Sequence, residues 1–479
     1  MNFIVTNPII MILKAILNYF RLRRNYIANG IDKIPPELKK VLVAWYSPKK
    51  QKLNNYDVIE SYAEDFTRLN CYENRGTINK TSNKIVITES KTNDLNIIEN
   101  LNASTNDIVI KVTGVSEELK LFVRDINSVR QYISKDGVYK FTNNVYQFFG
   151  FGINKIISGI NVVIEQLPTS ILKDFSGNKH DAYLYGFKGK LNSGVGIYKI
   201  DFSKTLNLSA FDNFERLNNK VIAKGNYSGN WSVFGEYDIN GIVKNKVTIK
   251  ITGLNNIKER LSLEYGYYTT DSKYIKNIIL IDKDGIYTYD LNDIIIPDES
   301  NISHTIYNRM YFGEQIINDI NLIVEEIPDY SNQLCYDGKS YAVTYDMPIL
   351  TDYTVIAERT WFERQNGACF LSKITTSGTG AFGFEFYNEY NEDTTYSFGR
   401  VNNVEQFKDG ITYQITNSYN GIVKLDYIVN GKDNAELYIG KLRPSERPAF
   451  IGCHGAIIIA DRSFTEEEIN WLKQNWDKI

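Results

Sequence analysis

The sequence predicts an all-β protein: one β-sandwich interrupted by two related sandwich inserts, with an N-terminal helix and a short C-terminal helix. Three observations carry this expectation. Tyr 34 and Phe 24 against Met 4 and His 3, with many Ile, Val, Thr and Asn, is the composition of pleated sheets joined by polar turns. Two stretches, Asn161-Val162-Val163-Ile164-Glu165-Gln166-Leu167-Pro168 and Asn321-Leu322-Ile323-Val324-Glu325-Glu326-Ile327-Pro328, are near copies, and each closes a block of strand-like sequence. After each, the chain resumes with pieces that read as the interior of a third sandwich, beginning at Asp174 and at Tyr336.

A chain of 479 residues with 43% apolar content is long enough for about three domains with packed cores. Its net charge of -3, with acids and bases interspersed, lacks the concentrated basic patch that a nucleic-acid face requires. Cys71, Cys335, Cys369 and Cys453 are widely scattered, so neither a disulfide scaffold nor a metal knuckle is expected, and reduced thiols in a cytoplasmically folded chain fit best.

The N-terminus is strongly apolar through Phe3, Ile4, Val5, Ile9, Ile10, Leu13 and Leu17. Arg21, Arg23 and Arg24 follow this run and Lys14 interrupts it, the reverse of a secretory signal. The run is also shorter than the roughly 20 residues of a bilayer span. The expectation is a helix over about 8 to 26, with Asn7 as cap, Pro8 at the first position and basic residues in its last turns. Such a helix must bury itself, either in its own domains or in a neighbouring subunit.

Ile34 to Lys40 reads as a linker, and Val41 to Tyr46 as a first strand stopped by Pro48. From about Val58 to Pro168 the apolar residues alternate at period two, as in 84–88 and 108–113, which predicts half-buried strands. The block 187–328 repeats the landmarks of this one. Asp65-Phe66-Thr67 answers to Asp201-Phe202-Ser203, the run 106–114 to 245–253, and Asp136-Gly137 to Asp284-Gly285. The spacing between matched residues grows from 136 (65 to 201) to 160 (161 to 321), so the second copy carries longer loops. Each copy is expected to be a whole sandwich of about seven to nine strands. The Asp-Gly pairs are read as tight hairpins needing positive φ, and Gly114 and Gly253 as strand ends of the same kind.

From Tyr330 the chain does not repeat. Residues 353–362, 382–387 and 424–431 read as strands, and the wholly apolar 456–460 as a central one. Thr465 with Glu468 three residues later is a capping box for a last helix whose apolar stripe is Ile469, Leu472 and Trp476.

Read without the inserts, Val41-Leu42-Val43-Ala44-Trp45-Tyr46 leads to Asp174-Phe175-Ser176-Gly177-Asn178-Lys179-His180-Asp181-Ala182, then to Tyr336-Asp337-Gly338 and to the 457–469 ending. In this order the pieces resemble the laminin-G-like, concanavalin A-type jelly roll. The resemblance implies a split jelly roll (41–57, 169–186 and 329–479), an anchor over 1–36, and inserts over 58–168 and 187–328, with Trp45 and Tyr336 in one core. The inserts loosely resemble carbohydrate-binding-module sandwiches. The phrases 42–48 and 347–361 resemble virion structural proteins of tailed phages of gut Bacteroides-type bacteria, the crAss-like phages included. This implies a virion protein assembled in the host cytoplasm: a capsid-attached head fibre or decoration protein, homo-oligomeric with a dimer favoured, docked on capsid or other virion proteins through the N-terminal residues above. The alternative is a tail-side receptor-binding protein for host capsular polysaccharide.

No enzymatic motif, cofactor site or metal set stands out. Asp174, His180 and Asp181 read as a turn bonding its own backbone rather than an acid–base cluster. Glu363, Glu385, Glu389 and Asp393 fall in or beside strands, but nothing singles out two of them as a hydrolase pair. His304 and His454 lack partners for a ligand set. Exposed aromatic faces can carry a sugar ring, and Trp231, Tyr237, Tyr387 and Tyr390 are the candidate glycan contacts on a cell surface.

Overall fold

In a computed structural model, the described residues are 34–100, 107–124, 129–141, 149–189, 192–204, 211–217, 219–227, 232–236, 246–254, 260–269, 271, 273–290, 293, 302–312, 317–363, 368–374, 383–387, 394–397, 404–406, 421–428, 433–442 and 449–479. They form six antiparallel sheets, paired as three sandwiches, so the all-β class holds. The expected N-terminal helix lies outside the described residues.

The jelly roll has two seven-stranded sheets. In the first, Ile451–Ala460 is central and buried along its whole length, as its apolar sequence demands. One of its edges pairs with Asp352–Glu363. The other edge is shared: Asp329–Asp337 takes positions 451–454, and the first strand, Leu42–Tyr46, takes positions 457–460. Strands nearly 300 residues apart in sequence are thus stitched onto one edge. The second sheet runs Ile171–Leu172, Ala182–Tyr185, Tyr341–Thr344, Asp433–Ile439, Ala368–Ile374, Gly383–Tyr387, Thr394–Ser397.

Between these sheets lies one core containing Val43, Tyr46, Tyr336, Phe370 and Phe450. Trp45 is not in it. The expected partner of Tyr336 is Tyr46 instead, because side chains alternate along a strand and a register irregularity between Leu42 and Ala44 sets the parity. Trp45 faces outward and packs with Leu38, Ile458, Leu472 and Trp476 beneath the C-terminal helix. That helix, Glu466–Asn475, carries the expected capping box: Thr465 accepts from the Glu468 N–H, and the Glu468 carboxylate accepts from the Thr465 N–H. Leu472 and Trp476 are buried and Ile469 half-buried, so the predicted stripe is the docked face.

Two local expectations are corrected. Residues 36–41 are not linker but a short helix, Pro36–Val41, whose Leu38 is buried under the outward Trp45 layer. Pro48 does end the first strand, and it also opens a one-turn helix, Pro48–Gln51, capped by Ser47.

The inserts share one strand order. In the first, one sheet runs Gly76–Lys80, Lys84–Ser90, Ile157–Gln166, Ile108–Thr113, Gly137–Phe141. In the second, Phe211–Arg216, Lys220–Tyr227, Ile317–Glu326, Lys246–Thr252, Gly285–Asp290 follow the same path. The facing sheets match as well: Ile98–Asn100, Phe149–Ile153, Leu121–Arg124 and Arg130–Ile133 correspond to Ser232–Glu236, Ile302–Tyr311, Leu261–Thr269 and Tyr274–Ile281. Among the described residues the copies hold ten and nine strands, the first exceeding the expected range through the short extra strand Asn70–Cys71. The pairing also moves a boundary. Gly194–Ile197, expected inside the second insert, adds an edge strand to the jelly roll through Asp329–Asp337, and Phe187 and Val195 lie in its core.

The repeated landmarks have physical roles. Asp65 and Asp201 each cap a short 3-10 turn by accepting from the N–H and the hydroxyl two residues on. The Asp-Gly pairs are not positive-φ turns. Asp136 and Asp284 instead accept the N–H of Val115 and Leu254, closing the loop that follows each long central strand. Positive φ falls on Gly114 and Gly253, at +86° and +99°.

The first insert leans on the outer face of the second jelly-roll sheet. Val109 and Val138 pack into a layer of Tyr183, Tyr185, Tyr341 and Tyr345, and Lys111 pairs with Glu436 across the junction. The equivalent face of the second insert is open, with Ile286 64% exposed.

Candidate functional site

Phe3, Ile4, Val5, Ile9, Ile10, Leu13 and Leu17 lie outside the described residues, as do Trp231, Tyr237 and Tyr390. Tyr387 ends the strand Gly383–Tyr387, opposite Thr394. Of the carboxylates, Glu363 is exposed at the end of a strand of the first jelly-roll sheet, while Glu385 belongs to the second, opposite Cys369. Glu389 and Asp393 lie outside the described residues.

The 174–181 segment is the turn the sequence predicts, and it serves as the lock of the interrupted sheet. Asp174 accepts from Trp45 N (2.9 Å), Ser176 N (2.8 Å), Ser176 Oγ (2.7 Å) and His180 N (3.0 Å). Asp181 accepts from Asp174 N. Asn178 donates to the Leu42 and Val43 carbonyls, and the Tyr46 hydroxyl donates to the His180 carbonyl while meeting Thr344 Oγ1 at 2.8 Å. These bonds either fold the turn on itself or tie it to the first strand. Beside the turn, Lys39, Lys40, Asn178, Asp346 and Asp461 line an open cleft of about 1230 Å³.

His454 is fully buried between Tyr336 and Phe370. Its Nε2 meets the Tyr336 hydroxyl at 2.9 Å, and Nδ1 meets the Gly455 carbonyl at 2.8 Å. Burial pushes its pKa down to about 4, so it is a neutral core residue near pH 7.

The better candidate for ligand contact is a polar groove of about 320 Å³ on the outer face of the first jelly-roll sheet. Tyr330, Asn332, Gln333, Glu358, Gly455 and Asp477 contribute to its walls. Glu358 Oε1 accepts from Gln333 Nε2 (2.9 Å) and Oε2 from Trp476 Nε1 (3.3 Å), which fixes the carboxylate in place. Gly455 supplies the space: a Cβ there would lie 2.2 Å from Glu358 Oε2. Tyr330, 38% exposed and tilted against Phe362, sits in the left-handed region at φ +55°, a conformation that costs a non-glycine residue on the order of 1 kcal/mol. A flat phenol beside a fixed carboxylate and side-chain amides suits a polyhydroxylated guest. The sequence gives no local sign of this groove, since its residues come from four distant strands and the turn after the C-terminal helix.

The closing units position each insert at its root. In the first, Gln166 Oε1 accepts from Glu64 N and its Nε2 donates to Glu64 O. At the matching position of the second, Glu326 accepts from Lys199 N (2.8 Å) and Ile200 N (2.9 Å). Burial raises the Glu326 carboxyl to about 7, against the lowering effect of those two N–H groups and of Lys199. The folded value lies above the ordinary value of 4.5, so between these two the folded chain holds a proton that the unfolded chain has lost. Stability therefore falls as pH rises through that window, by about 3 kcal/mol from this group. Thermal unfolding followed by circular dichroism is expected to show a midpoint that declines from pH 5 to pH 7.5, and Glu326→Gln is expected to flatten that decline whatever its effect on the midpoint itself. An unchanged slope in the variant would show that Glu326 does not titrate there.

A further charged cluster lies on the outer face of the second insert. Glu264, with its side chain 1% exposed, accepts from Lys276 Nζ, Arg309 Nε and the Tyr311 hydroxyl. Burial pushes its carboxyl up, but those bonds outweigh it and hold the group below the ordinary carboxylate range. It ties three adjacent strands together and has all its acceptors in use. Among the described residues no group of three or more His, Cys, Asp or Glu is arranged to hold a metal ion. Among them also, no helix is long and apolar enough to cross a membrane.

No family model matches the chain, and no curated protein matches it. Among solved structures, the N-terminal CBM22-1-CBM22-2 tandem domain from Paenibacillus barcinonensis Xyn10C aligns at 11% identity over 57% of this chain and 97% of that one, with a TM-score of 0.20. A Trypanosoma rangeli sialidase in complex with 2,3-difluorosialic acid aligns at 11% identity over 84% of each chain, also with a TM-score of 0.20. Both superpositions are slight, and the fold assignment stands on the strand pairing described above.

Proposed function

We propose that the chain is a non-enzymatic structural protein of a tailed-phage particle, a head fibre or decoration subunit that docks through its apolar N-terminal segment and displays its inserts outward. The observation that supports this best is architectural: two sandwiches of one strand order branch from a single interrupted jelly roll, each fixed at its root by a side chain of its closing strand, Gln166 or Glu326. A duplicated module on a rigid platform is what display needs, whereas the charged clusters in the described residues are spent on internal bonds. Deleting residues 1–30 is expected to leave a folded protein that no longer joins particles. If the truncated chain still assembles onto virions, the anchoring role is wrong.

The groove of Tyr330 and Glu358 favours a second reading, a tail-side receptor-binding protein for host capsular polysaccharide. A particle map that places the chain on the tail, together with glycan-array binding lost in Tyr330→Ala, would select this reading over the first.

A further inference from the structure

Cys335 and Cys453 are 118 residues apart in sequence but are direct register partners on the antiparallel strands Asp329–Asp337 and Ile451–Ala460. Both are wholly buried, packed with Ile197 on the outer face of the first jelly-roll sheet and flanked by the half-buried Phe362. Residues directly opposite in an antiparallel pair have Cα atoms about 4.5 or 5.5 Å apart, depending on which kind of pair they form. Both values fall inside the window of about 4.4 to 6.8 Å that a disulfide spans without backbone movement. The two thiols are in side-chain contact, and the Cys453 thiol also donates to Gln333 Oε1 at 2.8 Å. Both cysteines are free thiols here.

From this placement we infer that Cys335 and Cys453 are an oxidisable pair, a modification site that takes a small-molecule disulfide as oxidant and closes into a cross-strand bond. Both sulfurs are buried and burial pushes the Cys453 thiol well up, so the strand pair must first open locally. The thiolate of one cysteine then attacks the oxidant and forms a mixed disulfide, releasing one small thiol. The second cysteine then attacks that mixed disulfide, releasing the other small thiol and leaving the Cys335–Cys453 bond. In total the protein gives up two protons and two electrons, and the oxidant carries them away as two thiols. No other pair is offered by the fold: Cys71 is in the first insert, and Cys369 is on the second jelly-roll sheet.

The bond has two consequences. It staples Asp329–Asp337, the strand on which the chain returns from the second insert, to the central strand of the jelly roll. It also removes the S–H that Gln333 Oε1 accepts, while Gln333 Nε2 still holds Glu358. One amide oxygen at the back of the Tyr330–Glu358 groove is thereby released. The inference stands independently of the proposed virion role.

The full-length protein, reduced and then freed of reductant, would be incubated under native conditions with oxidised glutathione and, in parallel, with diamide. Free thiols would then be alkylated in denaturant and the intact mass and peptides read by mass spectrometry. The expected result is two alkylated cysteines instead of four, a cross-linked peptide pair containing Cys335 and Cys453, and a thermal midpoint raised by about 5 °C. Cys335→Ser and Cys453→Ser are each expected to keep three alkylatable thiols and show no oxidant-dependent rise in midpoint. Four alkylated thiols after both oxidants, or cross-links through Cys71 or Cys369, would overturn the inference.

Discussion

Gly253→Ala will cost the second insert about 4 kcal/mol or more, and Gly114→Ala will do the same to the first. Each glycine has a left-handed φ, and each lies against the carbonyl of the asparagine that opens the closing unit. A Cβ at 253 would sit 1.9 Å from Asn321 O, and one at 114 would sit 2.1 Å from Asn161 O. Each carbonyl belongs to the third strand of a five-stranded sheet, Asn321 in register with Lys224 and Asn161 within a register irregularity of its strand. Gly137→Ala is the control: its φ is not left-handed, and the nearest atom to its Cβ would be 3.7 Å away in the Tyr139 ring. Thermal unfolding of the three variants checks the claim, which fails if Gly253→Ala and Gly137→Ala lose equal stability.

Asp174→Ala is expected to detach the first strand from the jelly roll and to cost about 4 kcal/mol. The half-buried carboxylate accepts four bonds, three of them from backbone N–H groups, and a charge-assisted bond contributes about 1.5 to 3 kcal/mol. Asp174→Asn keeps one acceptor oxygen in place of two and is expected to fall between the wild type and the alanine variant. Hydrogen exchange at the Trp45 amide gives the most direct reading, since that N–H bonds to Oδ1 of Asp174. If its protection survives in Asp174→Ala, the turn is not the lock described here.

Much of this architecture was legible in the residues. The repeat was visible because its landmarks are local: an aspartate capping its own turn, a glycine forced into positive φ, and a closing strand that ends at proline. The interrupted jelly roll was legible from the order of its pieces. What escaped the sequence is instructive in kind. Trp45 and Tyr46 exchanged places because every residue of Leu42–Tyr46 is buried, so no polar–apolar alternation marks which side faces the sandwich. Gly194–Ile197 reads as part of the insert because four small or apolar residues without a turn signal carry no label of the sheet they join. Gln166 and Glu326 were visible as repeated positions, but their partners, Glu64, Lys199 and Ile200, are over 100 residues away. The groove and the cysteine pair exist only through long-range pairing, which residue spacing does not encode.

The shared edge of Ile451–Ala460 also dictates an order of events during synthesis. Each insert closes on contacts made wholly within its own span, so it can fold while the ribosome is still extending the chain. The jelly roll cannot. Leu42–Tyr46 leaves the ribosome before either insert, yet Ile451–Ala460, its partner strand among the described residues, is made more than 400 residues later. Until then the first strand waits with an unpaired edge, tethered to two finished modules. Contacts of such sequence separation are slow to form and prone to capture by other strands. The inserts shorten the wait in space if not in time: folding them collapses the two long intervening segments and brings their ends, and with them the separated strands, close together.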